Sequence, residues 1–185
     1  MVITFSIART NPQGVIFVLN NYMQPFVIDD LCYIPMDGGI AICDAEDYEI
    51  VKDVDGDWYL VNGYPRVNKR GIKKYNCLFL HQLLNPGWSR TDHISGDTLD
   101  NCRSNLRECT HQQNMHNRKK NENTRSRYKG VWWEKDSQKW RAAIKMNNKR
   151  YHIGNYYHER EAALAYDKKA RELFGEFARL NFPKR

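Results

Sequence analysis

No stretch of this 185-residue chain is apolar enough over enough residues to span a membrane. Its beginning, MVITFSIARTNPQG, lacks a basic stretch leading into an apolar core and is not read as a secretory signal. None of the five cysteines forms C-x-x-C and their number is odd. That argues against a disulfide framework and for reduced thiols in a cytoplasmic protein. No motif supports a Ser or Cys nucleophile, no long internal repeat is present, and no obligate protein partner is evident. With 28% charged and 12% aromatic residues, the composition is that of a folded protein. The length allows one medium domain or two or three small ones, each with a modest core.

The net charge of +7 is unevenly placed. Residues 1–80 carry 7 basic and 10 acidic side chains, and residues 81–117 carry 3 and 4. Residues 118–185 carry 19 and 8, a local excess of +11. A basic block means a polyanion partner or a solvated tail. A tail would lack aromatics, whereas this block holds three Trp and several Tyr. It is therefore expected to be a folded module facing nucleic acid.

Four segments are expected. Residues 1–76 are β-rich: VIFVLNN, IAICD, DWYLV and YPRV are short β-prone runs separated by turn formers. DVDGDW resembles a calcium loop, but its glycine is early and Tyr64 stands where a bidentate Glu is needed, so it is read as a turn. Residues 77–119 are dense in His, Asn and Asp, with a short helix at FLHQLLN. Residues 120–127 form a polar linker. Residues 128–185 give three strands, KGVWWEK, KWRAAIKM and KRYHIGNYY, and then a helix with Ala162, Ala163, Tyr166, Ala170 and Leu173 near one stripe. Gly175 would stop that helix.

The chemistry concentrates at Asp92, His93, Asn105 and Asn114. Phosphodiester hydrolysis needs a hard divalent cation with oxygen ligands and open positions. Asp92 and Asn114 supply a carboxylate and an amide oxygen. A neutral imidazole, His93, can take a proton from water near pH 7. Strands at 90–94 and 105–109 and a helix at 111–119 would form a ββα finger. Neighbours on a strand face opposite ways, so Asp92 and His93 require a kink or bulge to share a site. Asn105 could tie the intervening loop near His93. His81 is open between a supporting role and packing. Cys102 and Cys109 are too far apart for a zinc knuckle.

Residues 80–117 resemble the HNH family in its phage and intron-encoded homing form: His81, then DHISGDTLDN, then Asn105-Leu106-Arg107, then Asn114 and Asn117. The resemblance implies His93 as general base, Asp92 and Asn114 as metal ligands, Asn105 as the structural Asn, and Mg²⁺ or another divalent cation such as Mn²⁺. It also implies a phage or mobile-element origin, hence a bacterial or phage-infected cytoplasm.

The C-terminal segment interleaves Lys129, Trp132, Trp133, Lys135, Arg141, Lys145 and Arg150 along its strands. One sheet face would carry cations and Trp towards double-stranded DNA while the helix covers the other. SRYKGV, WRAAI, RYHIGNY, EAALAYD, ARELFG and LNFP resemble the Apetala-two/ethylene-response-factor domain, a three-stranded antiparallel sheet on one helix. The resemblance places DNA contacts on Lys129, Gly130, Trp132, Lys145, Arg150 and His152, with no transferable target sequence. His158 stands where Thr or Ser usually caps the helix.

The expected class is thus α+β: a β-rich N-terminal region, an HNH ββα-metal finger, and a three-stranded antiparallel sheet on one helix. The expected function is a metal-dependent DNA endonuclease; the alternative is a DNA-binding regulator with a degenerate motif. An RNA role ranks lower, because no RNP-like aromatic motif is present. Loss of residues 120–185 is expected to weaken DNA affinity and leave cleavage chemistry intact.

Overall fold

The computed structural model describes residues 8–10, 16–18, 24–54, 56–68, 77–120 and 125–183. Asp55 of DVDGDW and residues 121–124 of the expected linker lie outside these. The described chain is α+β, built of small antiparallel sheets with few helices. It divides into two compact units: Met1–Trp88 with Asp97–Leu106, and Ser89–Gly96 with Arg107–Arg185. The segment 77–119 contributes to both.

In the first unit, β1 (Ala8–Thr10) pairs with β2 (Ile16–Val18). Strands β3 (Phe26–Ile28), β4 (Leu31–Met36) and β5 (Gly39–Asp44) form a second sheet, followed by helix α1 (Tyr48–Lys52). Pro35 is tolerated in central β4 because β3 reaches only Leu31, Cys32 and Tyr33. Strands β6 (Trp58–Val61), β7 (Tyr64–Asn68) and β8 (Cys77–Phe79) form a third sheet and lead into helix α2 (Leu80–Leu84). The core gathers Ile34, Met36, Val51, Trp58, Val67 and Leu80. Cys32 and Cys43 face each other across β4 and β5 and are fully buried free thiols.

In the second unit, β9 (Thr91–His93) pairs with β10 (Leu106–Glu108), and helix α3 (His111–Asn117) follows. Thr110 caps α3: its hydroxyl accepts from Gln113 N and the Gln113 side chain accepts from Thr110 N. Strands β11 (Val131–Glu134), β12 (Lys139–Met146) and β13 (Lys149–Tyr156) form an antiparallel sheet against helix α4 (Glu159–Phe174). Val131, Ala142, Ile144 and Ile153 meet the alanine stripe Ala162, Ala163 and Ala170. Small side chains there let helix and sheet approach closely.

Several motif residues are fasteners of this unit. Gly130 has φ +73°, and a Cβ on it would fall 2.2 Å from the Tyr166 ring and 2.8 Å from the Ala143 carbonyl. Asp167 is fully buried and accepts from the backbone N–H groups of Asn181 and Phe182, 2.8 Å each, closing the C-terminal tail over α4. His158 makes no side-chain cap bond; Glu159 instead accepts from Ser126 Oγ at 2.7 Å and Arg127 N at 3.1 Å. Helix α4 stops at Gly175, whose φ of +54° breaks the helical path.

Candidate active site

Asp92 and His93 end β9 and are 3% and 5% exposed. Adjacent on one short strand, the two side chains are both buried. Asn117, at the last turn of α3, spans them. Its Nδ2 donates to Asp92 Oδ1 at 3.0 Å, Asp92 Oδ2 at 3.2 Å and the His93 carbonyl at 2.9 Å. Gly96 N also donates to the His93 carbonyl, at 2.8 Å, and turns the chain sharply after β9. Gly96 has φ +72°, so a side chain there would be strained. Asn114 lies three residues before Asn117, on the same side of α3, and is half-buried.

Asp92 is ion-paired. Arg107, on neighbouring β10, donates to Asp92 Oδ2 from Nε at 2.9 Å and from Nη2 at 2.7 Å. Oδ2 is therefore crowded with donors, while Oδ1 accepts only from Asn117 among the described bonds. A carboxylate has about four lone-pair positions, so Oδ1 keeps capacity for a further ligand. One carboxylate oxygen and one Asn amide oxygen make a hard, open donor set, which suits an ion that keeps several waters. Among the described residues no cluster of three or more His, Cys, Asp or Glu could hold a metal by itself. The donor types of Asp92 and Asn114, a carboxylate and an amide oxygen, are those a partly hydrated hard cation takes.

Asn105 and His81 belong to the first unit. Asn105 is 6% exposed, and its Nδ2 donates to the carbonyls of Asp100 at 2.7 Å and Asp97 at 3.3 Å. It ties the loop between β9 and β10 to itself. The loop is stapled further. Thr98 Oγ1 donates to the Gly63 carbonyl at 2.6 Å, Ile42 N to the Leu99 carbonyl at 2.9 Å, and Asn101 N to the Ile42 carbonyl at 2.8 Å. The fully buried Asp47 receives Arg103 from the end of the same loop. His81 stacks on Phe79 with ring centroids 5.6 Å apart and meets Tyr64 edge-on at 5.7 Å.

The second candidate surface is the face of β11–β13 turned away from α4. Trp132 lies there opposite Arg141, Ala143 opposite His152, and Lys145 opposite Arg150. The guanidinium carbons of Arg141 and Arg150 lie 5.7 and 5.3 Å from the Trp132 ring centre. Arg141 also donates to Glu134 at 2.9 Å and to His152 Nδ1 at 3.2 Å. Lys145, Arg150 and His152 are exposed. Lys135 is exposed in the turn after β11. Three candidates lie elsewhere. Trp133 packs edge-on against its cross-strand partner Trp140 at 5.3 Å. Gly130 is covered by Tyr166. Half-buried Lys129 donates through Nζ to the His116 and Arg118 carbonyls, 2.6 and 2.7 Å away, and so caps the end of α3. Burial and then the charges of Arg179 and Arg118 push its ammonium down to about 8.

This chain is 33% identical over 164 residues to "Uncharacterized HNH endonuclease L560" of Acanthamoeba polyphaga mimivirus, covering 84% of each chain. The chain belongs to the HNH endonuclease family. It is also 32% identical over 88 residues to "Protein 3.8" of Escherichia phage T7, across 48% of this chain and 72% of that one. No family model and no solved structure matches it. No helix among the described residues is long and apolar enough to cross a membrane.

Within this HNH chain, two side chains at the site carried no assigned role in the sequence reading. Arg107 appeared only as the third letter of N-L-R. Its position one strand from Asp92 becomes a signal once β9 and β10 are paired. Asn117 is the last motif residue of α3, and its spacing of three from Asn114 is the signal that puts both on one side.

Proposed function

We propose that this chain is a metal-dependent DNA endonuclease of the HNH homing type, hydrolysing phosphodiester bonds with His93 as general base. The observation that carries the reading is Asn117 bridging the Asp92 carboxylate and the His93 carbonyl, which fixes both residues at the end of one short strand under one helix. His93 accepts a proton from the attacking water; a buried imidazole with a fixed backbone suits that task. Asp92 and Asn114 would hold Mg²⁺ or Mn²⁺, which when bound neutralises charge on the phosphate and on the leaving oxygen. Asn105 keeps the connecting loop closed, and His81 stands as a packed support. The homologue named as an HNH endonuclease supports DNA as the substrate.

The outer sheet face anchors duplex DNA. Arg141, Lys145 and Arg150 meet phosphates, while Trp132 offers an apolar plate braced by two guanidiniums. Lys135 and His152 border this face. Lys129, Gly130 and Trp133 serve it indirectly, by holding the sheet, α4 and α3 together.

One observation favours a second reading, DNA binding without cleavage: Arg107 already neutralises Asp92. Supercoiled plasmid separates the two. With Mg²⁺ the wild type should nick, EDTA should stop it, and His93→Ala should bind DNA without nicking. Tight binding with no nicking by wild type at any divalent cation would leave only the regulator.

A further inference from the structure

We propose that Arg107 is the positioning residue of Asp92 and that the C-terminal module, through Glu176 and Phe177, holds Arg107 in place, so that this module is a working part of the nuclease site. The proposal rests on the HNH reading of Asp92 given above.

The Arg107 side chain is 13% exposed and three of its contacts are fixed. Nε and Nη2 grip Asp92 Oδ2. Nη1 donates to the Glu176 carbonyl at 2.8 Å. The guanidinium carbon lies 3.9 Å from the Phe177 ring centre, and Phe177 is buried. Glu176 and Phe177 belong to the 3-10 turn Gly175–Phe177 that follows α4. A planar guanidinium with a carboxylate on one edge, a carbonyl on another and a ring on its face has little freedom to rotate. It therefore decides which Asp92 oxygen is occupied by donors and which keeps capacity for a cation.

The other parts of the site are held from the same side. Arg179 Nη1 donates to the Ser95 carbonyl at 2.6 Å, in the turn just after His93. Lys129 caps α3, and the His116 ring stacks on Phe174 with centroids 3.6 Å apart. The turn after β9, the strand β10 and the helix α3 thus each carry a side-chain contact from residues 129–179. A DNA anchor joined only through a linker would need none of these.

The test uses the full-length chain and two variants, Phe177→Leu and Arg107→Gln, with Phe177→Tyr as the conservative rescue. Mn²⁺ binding is followed by electron paramagnetic resonance of the free ion, nicking by single-turnover assay across Mg²⁺ concentrations, DNA affinity by titration, and folding by circular dichroism. Loss of a partner outside the ligand shell typically costs 10- to 100-fold in metal affinity or activity. Phe177→Leu should therefore weaken Mn²⁺ binding about tenfold, and Arg107→Gln by more. DNA affinity should stay at the wild-type level, and Phe177→Tyr should recover most of the loss. A folded Phe177→Leu with wild-type Mn²⁺ affinity and nicking rate overturns the proposal. Were Phe177→Leu to lose its folded signal, unchanged Mn²⁺ affinity in Arg107→Gln overturns it alone. Failure of the nuclease reading looks different, because then the wild type itself neither binds Mn²⁺ nor nicks.

Discussion

Two helices of the second unit, α4 and α3, are stabilised by opposite means. Helix α4 has 16 residues and buries Ala162, Ala163, Tyr166 and Ala170 against a sheet. Helix α3 has 7 residues, HQQNMHN, and buries only Asn117. A seven-residue helix without an apolar face has no hydrophobic term to offset its ordering entropy. It depends on polar bonds at its ends, from Thr110 at one and Lys129 at the other, and on the stack of His116 against Phe174. The apolar pair of α4 and its sheet is the foundation, and the polar helix α3 is fastened to it.

The largest expected effect separates chemistry from fastening. His93→Ala should slow plasmid nicking by about 10²- to 10⁴-fold, the usual worth of a positioned general base. DNA affinity should not move, and the thermal midpoint should fall only by the few degrees that truncating a buried side chain costs. A mutant that nicks within a few-fold of wild type would reassign the base.

The foundation breaks next. Gly130→Val adds atoms where the Tyr166 ring and the Ala143 carbonyl already stand, at a positive φ. Overpacking and strain together should cost about 3 kcal/mol in urea unfolding. A loss below about 1 kcal/mol would mean that α4 and the sheet are less tightly joined than their geometry implies.

Smaller effects sharpen the comparison. Arg150→Ala should reduce the salt slope of DNA binding by about one and weaken every sequence alike, as a phosphate contact does. Sequence-dependent loss would mean base reading instead. Thr110→Ala should cost about 1 kcal/mol. Hydrogen exchange should localise that loss to α3 and spare α4.

Lys129 gives a pH signature. Its folded value near 8 lies below the ordinary 10.5, chiefly because it is buried. Between these values the unfolded chain holds the extra proton, so stability should rise as pH goes from about 8 towards 10.5. Lys129→Met should abolish that rise. A wild-type thermal midpoint flat across the window would mean that the capped carbonyls hold the ammonium fully charged.

Much of the fold was legible. Strands expected at 90–94 and 105–109 and the helix at 111–119 appear as β9, β10 and α3 with ends shifted by one or two residues. Strands β11–β13 and the stop at Gly175 were readable because period-2 and period-3.6 patterns are local. Strand β4 was not read, since Pro35 interrupts its pattern and only the short reach of β3 makes it acceptable. The expectation that the C-terminal segment is separable from cleavage chemistry came from charge and linker composition. Neither reports contacts such as Arg107 to Glu176 or Arg179 to Ser95, which bridge 69 and 84 positions.

The order of residues alone determined which groups are present: one carboxylate and one imidazole side by side, asparagines at helical spacing, and a basic, aromatic sheet behind them. Tertiary structure decided which of those groups face each other. It put Asn117 and Arg107 on Asp92, turned Trp132 outward and Trp133 inward, and spent Lys129 on a helix end. Side-chain direction depends on strand register and on long-range docking, and neither is encoded by any single local pattern.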